Sequence, residues 1–215
     1  MKKVLLLIVA MLSIMLFGCS PKTYDVNDSP IVQALSEYTE EGVAMLEKSF
    51  VNEENLGYAL KFLGATPLPI ELKTIDEKDF NIESIKGKNT IIEIKRISCP
   101  TCKENTPIVN EYVKNNTSDI EIIPIFYTDS KEAIELFYKA YGYEVNDTIL
   151  SATYETSKTF LEDYYVTSVP TYLFIDSNYR ISNIHIGALD ETILSDKINE
   201  AFYSEKKLYD YKIEP

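Results

Sequence analysis

Tryptophan is missing from this 215-residue chain, histidine occurs once, and cysteine occurs three times, at Cys19, Cys99 and Cys102. A structural zinc site takes about four Cys or His ligands. Cys19 has another use, argued below, and His185 lies far along the chain, so no metal is expected. Basic residues are also short: 21 Lys and Arg stand against 34 Asp and Glu, a formal charge of -13 with no basic run. That excludes the electrostatic footprint of a nucleic-acid binder. No internal repeat is present, and Val4–Phe17 is the long hydrophobic run. What remains is an apolar fraction of 45%, enough for a core, in a length that suits one ordinary domain with additions. Tyrosine, at 16 residues, supplies much of the aromatic content.

Lys2 and Lys3 precede the apolar run, which is too short for a comfortable membrane span and suits a secretory signal. It ends in Leu16-Phe17-Gly18-Cys19-Ser20, which resembles a bacterial lipobox. The resemblance implies that Cys19 is lipidated and becomes the new N-terminus, and two acyl chains give stable anchoring. The expected location is the extracytoplasmic face of a bacterial cell membrane. Outside the cytoplasm no glutathione pool keeps thiols reduced.

Cys99-Pro100-Thr101-Cys102 follows the β-branched run Thr90-Ile91-Ile92-Glu93-Ile94 and opens a helical pattern reaching about Lys114. A thiol at a strand-to-helix junction sits where the first helical N–H groups point outward, and those donors stabilise a thiolate. A second thiol three residues on lies one turn away, within reach of a disulfide. Pro100 is tolerated because its missing N–H had no helical partner. Glu93 lies on the strand leading into the pair, among isoleucines that favour burial, where a carboxyl is placed to move a proton.

Around this pair the chain alternates. Ser29-Pro30 starts a helical segment on which Ile31, Leu35, Tyr38, Met45 and Phe50 recur, and a second runs from about Asn55 to Leu63. Strands are expected at 70–75, 90–96, 120–127, 170–176 and 181–186, with the last two forming a hairpin. Helices are expected at 131–141, 156–164 and 192–203. Strands alternating with helices give a central mixed sheet covered on both faces.

This order resembles the thioredoxin fold over about residues 70–205. Lys103 after the second cysteine, Pro107 within the helix, Val169-Pro170-Thr171 and Gly187-Ala188-Leu189 carry the resemblance beyond the CxxC. The opening Thr74-Ile75-Asp76 and the long insertion between Cys102 and Pro170 resemble the exported TlpA/ResA-like branch. Three positions depart from the pattern: Ser98 stands where Trp is usual, Asn105 replaces the Glu of CxxCxxE, and Pro100 gives a CPxC order similar to oxidising DsbA-like enzymes.

The resemblance implies an α/β thioredoxin-like domain at 67–206, behind a signal peptide at 1–18, a tether at 19–29 and an N-terminal helical extension at 30–66, with a tail at 207–215. It implies a thiol–disulfide oxidoreductase with Cys99 as nucleophile, Cys102 as resolving thiol and Glu93 at the buried-acid position. Pro170 is expected to be cis, so that Val169 can pair with a substrate strand beside Pro100 and Thr101. No cofactor beyond the Cys99–Cys102 disulfide is implied. The implied partners are exported proteins with cysteine pairs, a membrane redox partner, and the membrane itself through the lipid. Oxidant and reductant both remain open. The competing expectation is a non-enzymatic binding lipoprotein whose Cys99–Cys102 disulfide is only structural. His185 is expected to serve packing, and Lys103 to be either a surface residue or a neighbour of Cys99.

Overall fold

Strand β2 (Asn89–Lys95) is buried along nearly its whole length, which requires neighbours on both edges and cover on both faces. In the computed structural model, which describes residues 29–50, 52–116, 119–145, 149–152 and 161–213, it has both. The other strands are β1 (Lys73–Thr74), β3 (Ile120–Tyr127), β4 (Leu150–Ala152), β5 (Thr171–Ile175) and β6 (Ile181–Ile186). They form one sheet in the order β1-β4-β3-β2-β5-β6. The β4–β3 and β3–β2 pairs are parallel, and the remaining three are antiparallel.

The period of two in β2 sorts its side chains between two cores. Ile92 and Ile94 join Ile123, Ile125, Leu173 and Ile175 in the larger cluster, while Ile91 joins Tyr172 and Phe174 in the other. The larger cluster is covered by α1 (Pro30–Leu35), α2 (Glu40–Ser49) and α3 (Glu53–Phe62). The opposite face packs α4 (Pro100–Asn116) and α6 (Glu191–Ile198), while α5 (Lys131–Ala140) covers Phe126. The fold is therefore the expected thioredoxin-like mixed sheet between helices, with an N-terminal helical extension.

The differences are local. The helical pattern from Pro30 to Phe50 is two helices, because Thr39 caps α2, its Oγ1 accepting from Gly42 N at 3.1 Å. The 70–75 strand shortens to two residues because the chain doubles back there: Thr74 N donates to Lys78 O at 2.8 Å and Phe80 N to Leu72 O at 2.9 Å. The 192–203 helix starts at Glu191 behind its cap Asp190 and widens at its end into a π turn, Asn199–Tyr203. The short β4 adds a strand that the sequence did not signal.

Residues 207–215, read as a tail, contain a 3-10 turn at Leu208–Tyr211 whose Leu208 and Tyr211 belong to the larger core. Thr39 N donates to Tyr211 O at 2.9 Å and Ile213 N to Glu37 O at 2.7 Å. A Cβ on Gly42 would lie 2.5 Å from Tyr211 Cβ, so glycine alone permits this approach. Gly64 and Ala65 exchange backbone hydrogen bonds with Ile181 on the outer edge of β6, at 2.8 and 3.0 Å. The signal peptide, Cys19, the tether up to residue 28 and most of the 156–164 helix lie outside the described residues. Among the described residues, no helix is long and apolar enough to cross a membrane.

Candidate active site

Cys99 immediately precedes α4, at the position where a helix cap sits. Its Sγ accepts the N–H of Cys102 at 3.1 Å, as a serine or aspartate oxygen would at a helix N-terminus. The same Sγ lies 3.5 Å from the carbonyl oxygen of Val169. The Val169–Pro170 peptide bond is cis. Cys99 is half-buried and Cys102 is buried, and both are free thiols. Pro100 is exposed and Thr101 half-buried beside them. Burial pushes the Cys102 thiol well above its ordinary range, and its hydrogen bond with Cys99 acts in the same direction.

Behind Cys102 lies a buried polar cluster. Glu93 and Lys95 are two residues apart on β2, so they share a face, and neither side chain is exposed to solvent. Lys95 Nζ is 2.7 Å from Glu93 Oε2. It also donates to Thr106 Oγ1 at 3.2 Å, and Thr106 donates in turn to the Cys102 carbonyl at 2.7 Å. The ammonium lies 5.0 Å from the centre of the Phe126 ring, with Phe137 and Tyr138 at 5.8 and 5.7 Å. Tyr172, opposite Glu93 on β5, donates to Glu93 Oε1 at 3.2 Å. Burial, then the Glu93 charge, hold the Tyr172 hydroxyl well above its usual range.

Asn105 closes the cluster. Its Nδ2 donates to Tyr172 Oη at 3.0 Å and to Gly187 O at 2.9 Å, and its Oδ1 accepts from Leu189 N at 3.2 Å. A side chain that both gives and receives fits this place, whereas an ionised Glu would only accept. Pro107 lies inside α4 and withholds one helical N–H; the carbonyl thereby released, that of Lys103, accepts from Tyr141 Oη at 3.1 Å.

The structure thus brings Cys99, Cys102, Pro100, Thr101, Val169 and Pro170 to one end of the sheet, with Glu93 beneath. Lys103 is exposed. His185 bonds through Nε2 to Ala188 O at 2.8 Å, and burial holds its pKa below the usual value, as suits packing. Lys95, Thr106 and Tyr172 went unsignalled; alternation along Thr90–Lys95 was the available clue, since it sends a lysine and a glutamate to one covered face. Burial raises the Tyr127 hydroxyl, and the Arg96 guanidinium, 5.2 Å from the centre of its ring, acts in the opposite direction. Among the described residues, no group of three or more His, Cys, Asp or Glu could hold a metal.

Residues 64–201 match the Redoxin family. The thiol-disulfide oxidoreductase ResA of Bacillus subtilis (strain 168) is 26% identical over 129 residues, 60% of this chain and 69% of ResA. The thioredoxin-like protein YneN of the same organism is 24% identical over 130 residues, 60% of this chain and 74% of YneN. Among solved structures, a thiol:disulfide interchange protein from Bacteroides sp. superposes with a TM-score of 0.55 at 15% identity, covering 67% of this chain and 92% of its own. MTB dsbF gives 0.51 at 23%, covering 63% and 98%. Those structures support the fold, and the family match includes Cys99, Cys102 and Val169. The chain belongs to the Redoxin family, as a thioredoxin-like, ResA-like thiol–disulfide oxidoreductase.

Proposed function

We propose that this oxidoreductase works outside the cytoplasm, anchored to the membrane through lipidated Cys19, and exchanges disulfides with cysteine pairs of exported proteins. The observation that carries the chemistry is the position of Cys99 Sγ, which accepts the Cys102 N–H on one side and faces the Val169 carbonyl on the other. A substrate strand laid along Val169 brings its sulfur to Cys99. Support for the anchor is the run from Lys2 to Cys19.

In the reducing direction the Cys99 thiolate attacks one sulfur of a substrate disulfide. The substrate S–S bond breaks, a Cys99–substrate bond forms, and the other substrate sulfur leaves and takes up a proton. Cys102 then gives its proton to the Glu93 carboxylate and attacks Cys99 Sγ. The mixed disulfide breaks, the second substrate thiol leaves, and two electrons have passed to the substrate. Oxidation of a substrate dithiol runs through the same mixed disulfide in reverse. Burial of Cys102 makes its deprotonation the demanding step, and Glu93, ion-paired beneath it, is the group available to receive that proton.

A Cys102→Ala variant leaves Cys99 able to form a mixed disulfide that nothing resolves. Partners are expected to accumulate on Cys99 in cells and to be released by reductant; their absence would leave the pair a structural staple. A redox titration reads the direction: a potential near about -120 mV fits an oxidant and one near about -270 mV a reductant. Mass spectrometry of the membrane fraction tests the anchor, which fails if Cys19 carries no acyl group.

A further inference from the structure

From the geometry we infer that α1 and α3 form a second binding surface, continuous with the Cys99 site, that receives an apolar side chain of the substrate protein two to four residues from its reacting cysteine. This rests on the exchange chemistry proposed above.

The surface is a groove of about 390 Å³ between α1 and α3, lined by Ile31, Ala34, Gly57, Tyr58 and Leu60 and closed at one side by Tyr165 and Thr167. Its continuity with the cysteines runs through a single stretch of backbone. Tyr165 and Thr167 line the groove, while Val169 O lies 3.5 Å from Cys99 Sγ. Two residues of extended chain cover at most about 7 Å. Residues 166–169 lie outside every strand, and Thr167 and Ser168 are exposed. A substrate segment paired with Val169 and continuing along this stretch therefore meets the groove within a few residues of its sulfur.

Two further observations favour an occupant. Gly57 sits inside α3, where glycine destabilises a helix relative to alanine. A Cβ there would meet only Ile31, at 3.5 Å, an ordinary contact, so neither packing nor backbone requires glycine. What glycine does is leave the groove floor open. Tyr165 holds a positive φ of 49°, which favours glycine, and the residue is 57% exposed. Lys61 Nζ lies 4.2 Å from the centre of its ring. The aromatic wall is thus fixed in place without being buried. The Thr167 hydroxyl bonds Glu54 Oε1 at 3.4 Å, tying α3 to the loop that leads to Val169. α1 and α3 precede residue 64, where the Redoxin match begins, so the helical part of the surface lies outside the residues matched to the family, while Tyr165 and Thr167 lie within them.

The test uses the full chain and synthetic peptides with one cysteine, each held as a disulfide with 2-mercaptoethanol. Leucine is placed in turn at each position within four residues on either side of the cysteine, in an otherwise serine-rich peptide. Exchange rates with the reduced protein are compared with the leucine-free peptide. On one side of the cysteine, leucine is expected to raise the rate at least tenfold. Gly57→Met, which fills the floor, and Leu60→Glu, which charges the wall, should each bring that ratio close to one. Should Leu60→Glu fail to fold, Gly57→Met alone carries the comparison. A flat leucine scan in the natural chain, or a ratio that survives Gly57→Met, overturns the proposal. Failure of the natural chain to react with bis(2-hydroxyethyl) disulfide, which has no flanking residues, overturns the exchange chemistry and the groove with it.

Discussion

Glu93 and Lys95 show how register decides what a side chain means. Either one alone in a buried strand would be an uncompensated charge. Together, 2.7 Å apart under three aromatic rings, they are one neutral object. Removing one partner of such a pair costs about 3–5 kcal/mol, whereas replacing both is often close to neutral. Lys95→Met is therefore expected to lower the unfolding free energy in urea by about that amount. Glu93→Gln/Lys95→Met should recover most of the loss, and a double variant as unstable as the single one would show that Lys95 serves packing alone. Glu93 was legible in the sequence because its distance from Cys99 resembles a family position. Lys95 was not, because it reads as a strand end until the pairing with β3 sets it opposite Phe126 and under cover.

Between elements, Lys197 on α6 joins the N-terminal extension to the rest of the molecule. Its Nζ donates to the carbonyl and hydroxyl oxygens of Ser49 at the end of α2, at 2.8 and 2.7 Å, and lies 4.3 Å from the Phe50 ring centre. It also reaches Asn183 Oδ1 at 3.3 Å, and Glu200 Oε2 stands 3.9 Å away. Burial outweighs the charges of Glu200 and Asp196 and lowers its pKa to about 8. In the unfolded chain the usual value is about 10.4. Between those two values the unfolded chain holds more protons than the folded one, so Lys197 contributes stability that rises as pH climbs from about 8 to about 10.4. Below that window the folded state carries the full penalty of a buried ammonium. Cys102, raised by burial, acts in the opposite sense, since its contribution is lost as pH rises past the ordinary thiol value. Comparing the natural chain with Lys197→Met cancels the shared groups: the difference in unfolding free energy should move in favour of the natural chain from pH 8 to pH 10. A flat difference would mean that the lysine is not desolvated.

At this scale the sequence was uneven. β3 and β6 have the ranges expected from their runs of apolar and β-branched residues, because a continuous run bounded by turns leaves little freedom. β4 was illegible because only Ile149 and Leu150 mark it, and its partners, β1 and β3, are far away in sequence. The break between α1 and α2 was masked by apolar residues that keep helical spacing across it, although Thr39 carried the capping signal.

Across the whole molecule, the family was legible from local motifs, while the role of the additions was not. Nothing in residues 30–63 or 207–213 announces that they share one core, because that core exists only once both ends lie on the same face of the sheet. Leu46, Phe62 and Tyr211 pack in the same cluster as Ile94 and Leu173. Deleting residues 30–63 is thus expected to leave the CxxC intact in sequence but to strip one face of the sheet. The shortened chain should bind a hydrophobic dye and lose its cooperative urea transition. A cooperative, dye-silent product would show that the remaining chain folds by itself.

The hydrogen bonds between 37–39 and 211–213 also have a meaning in time. Synthesis at roughly 5–20 residues per second separates those two stretches by on the order of ten seconds or more. Throughout that interval the inner face of α2 exists without the residues that seal it. The newborn chain presents a sticky surface long before it can hide it, and for those seconds a chaperone has something to hold.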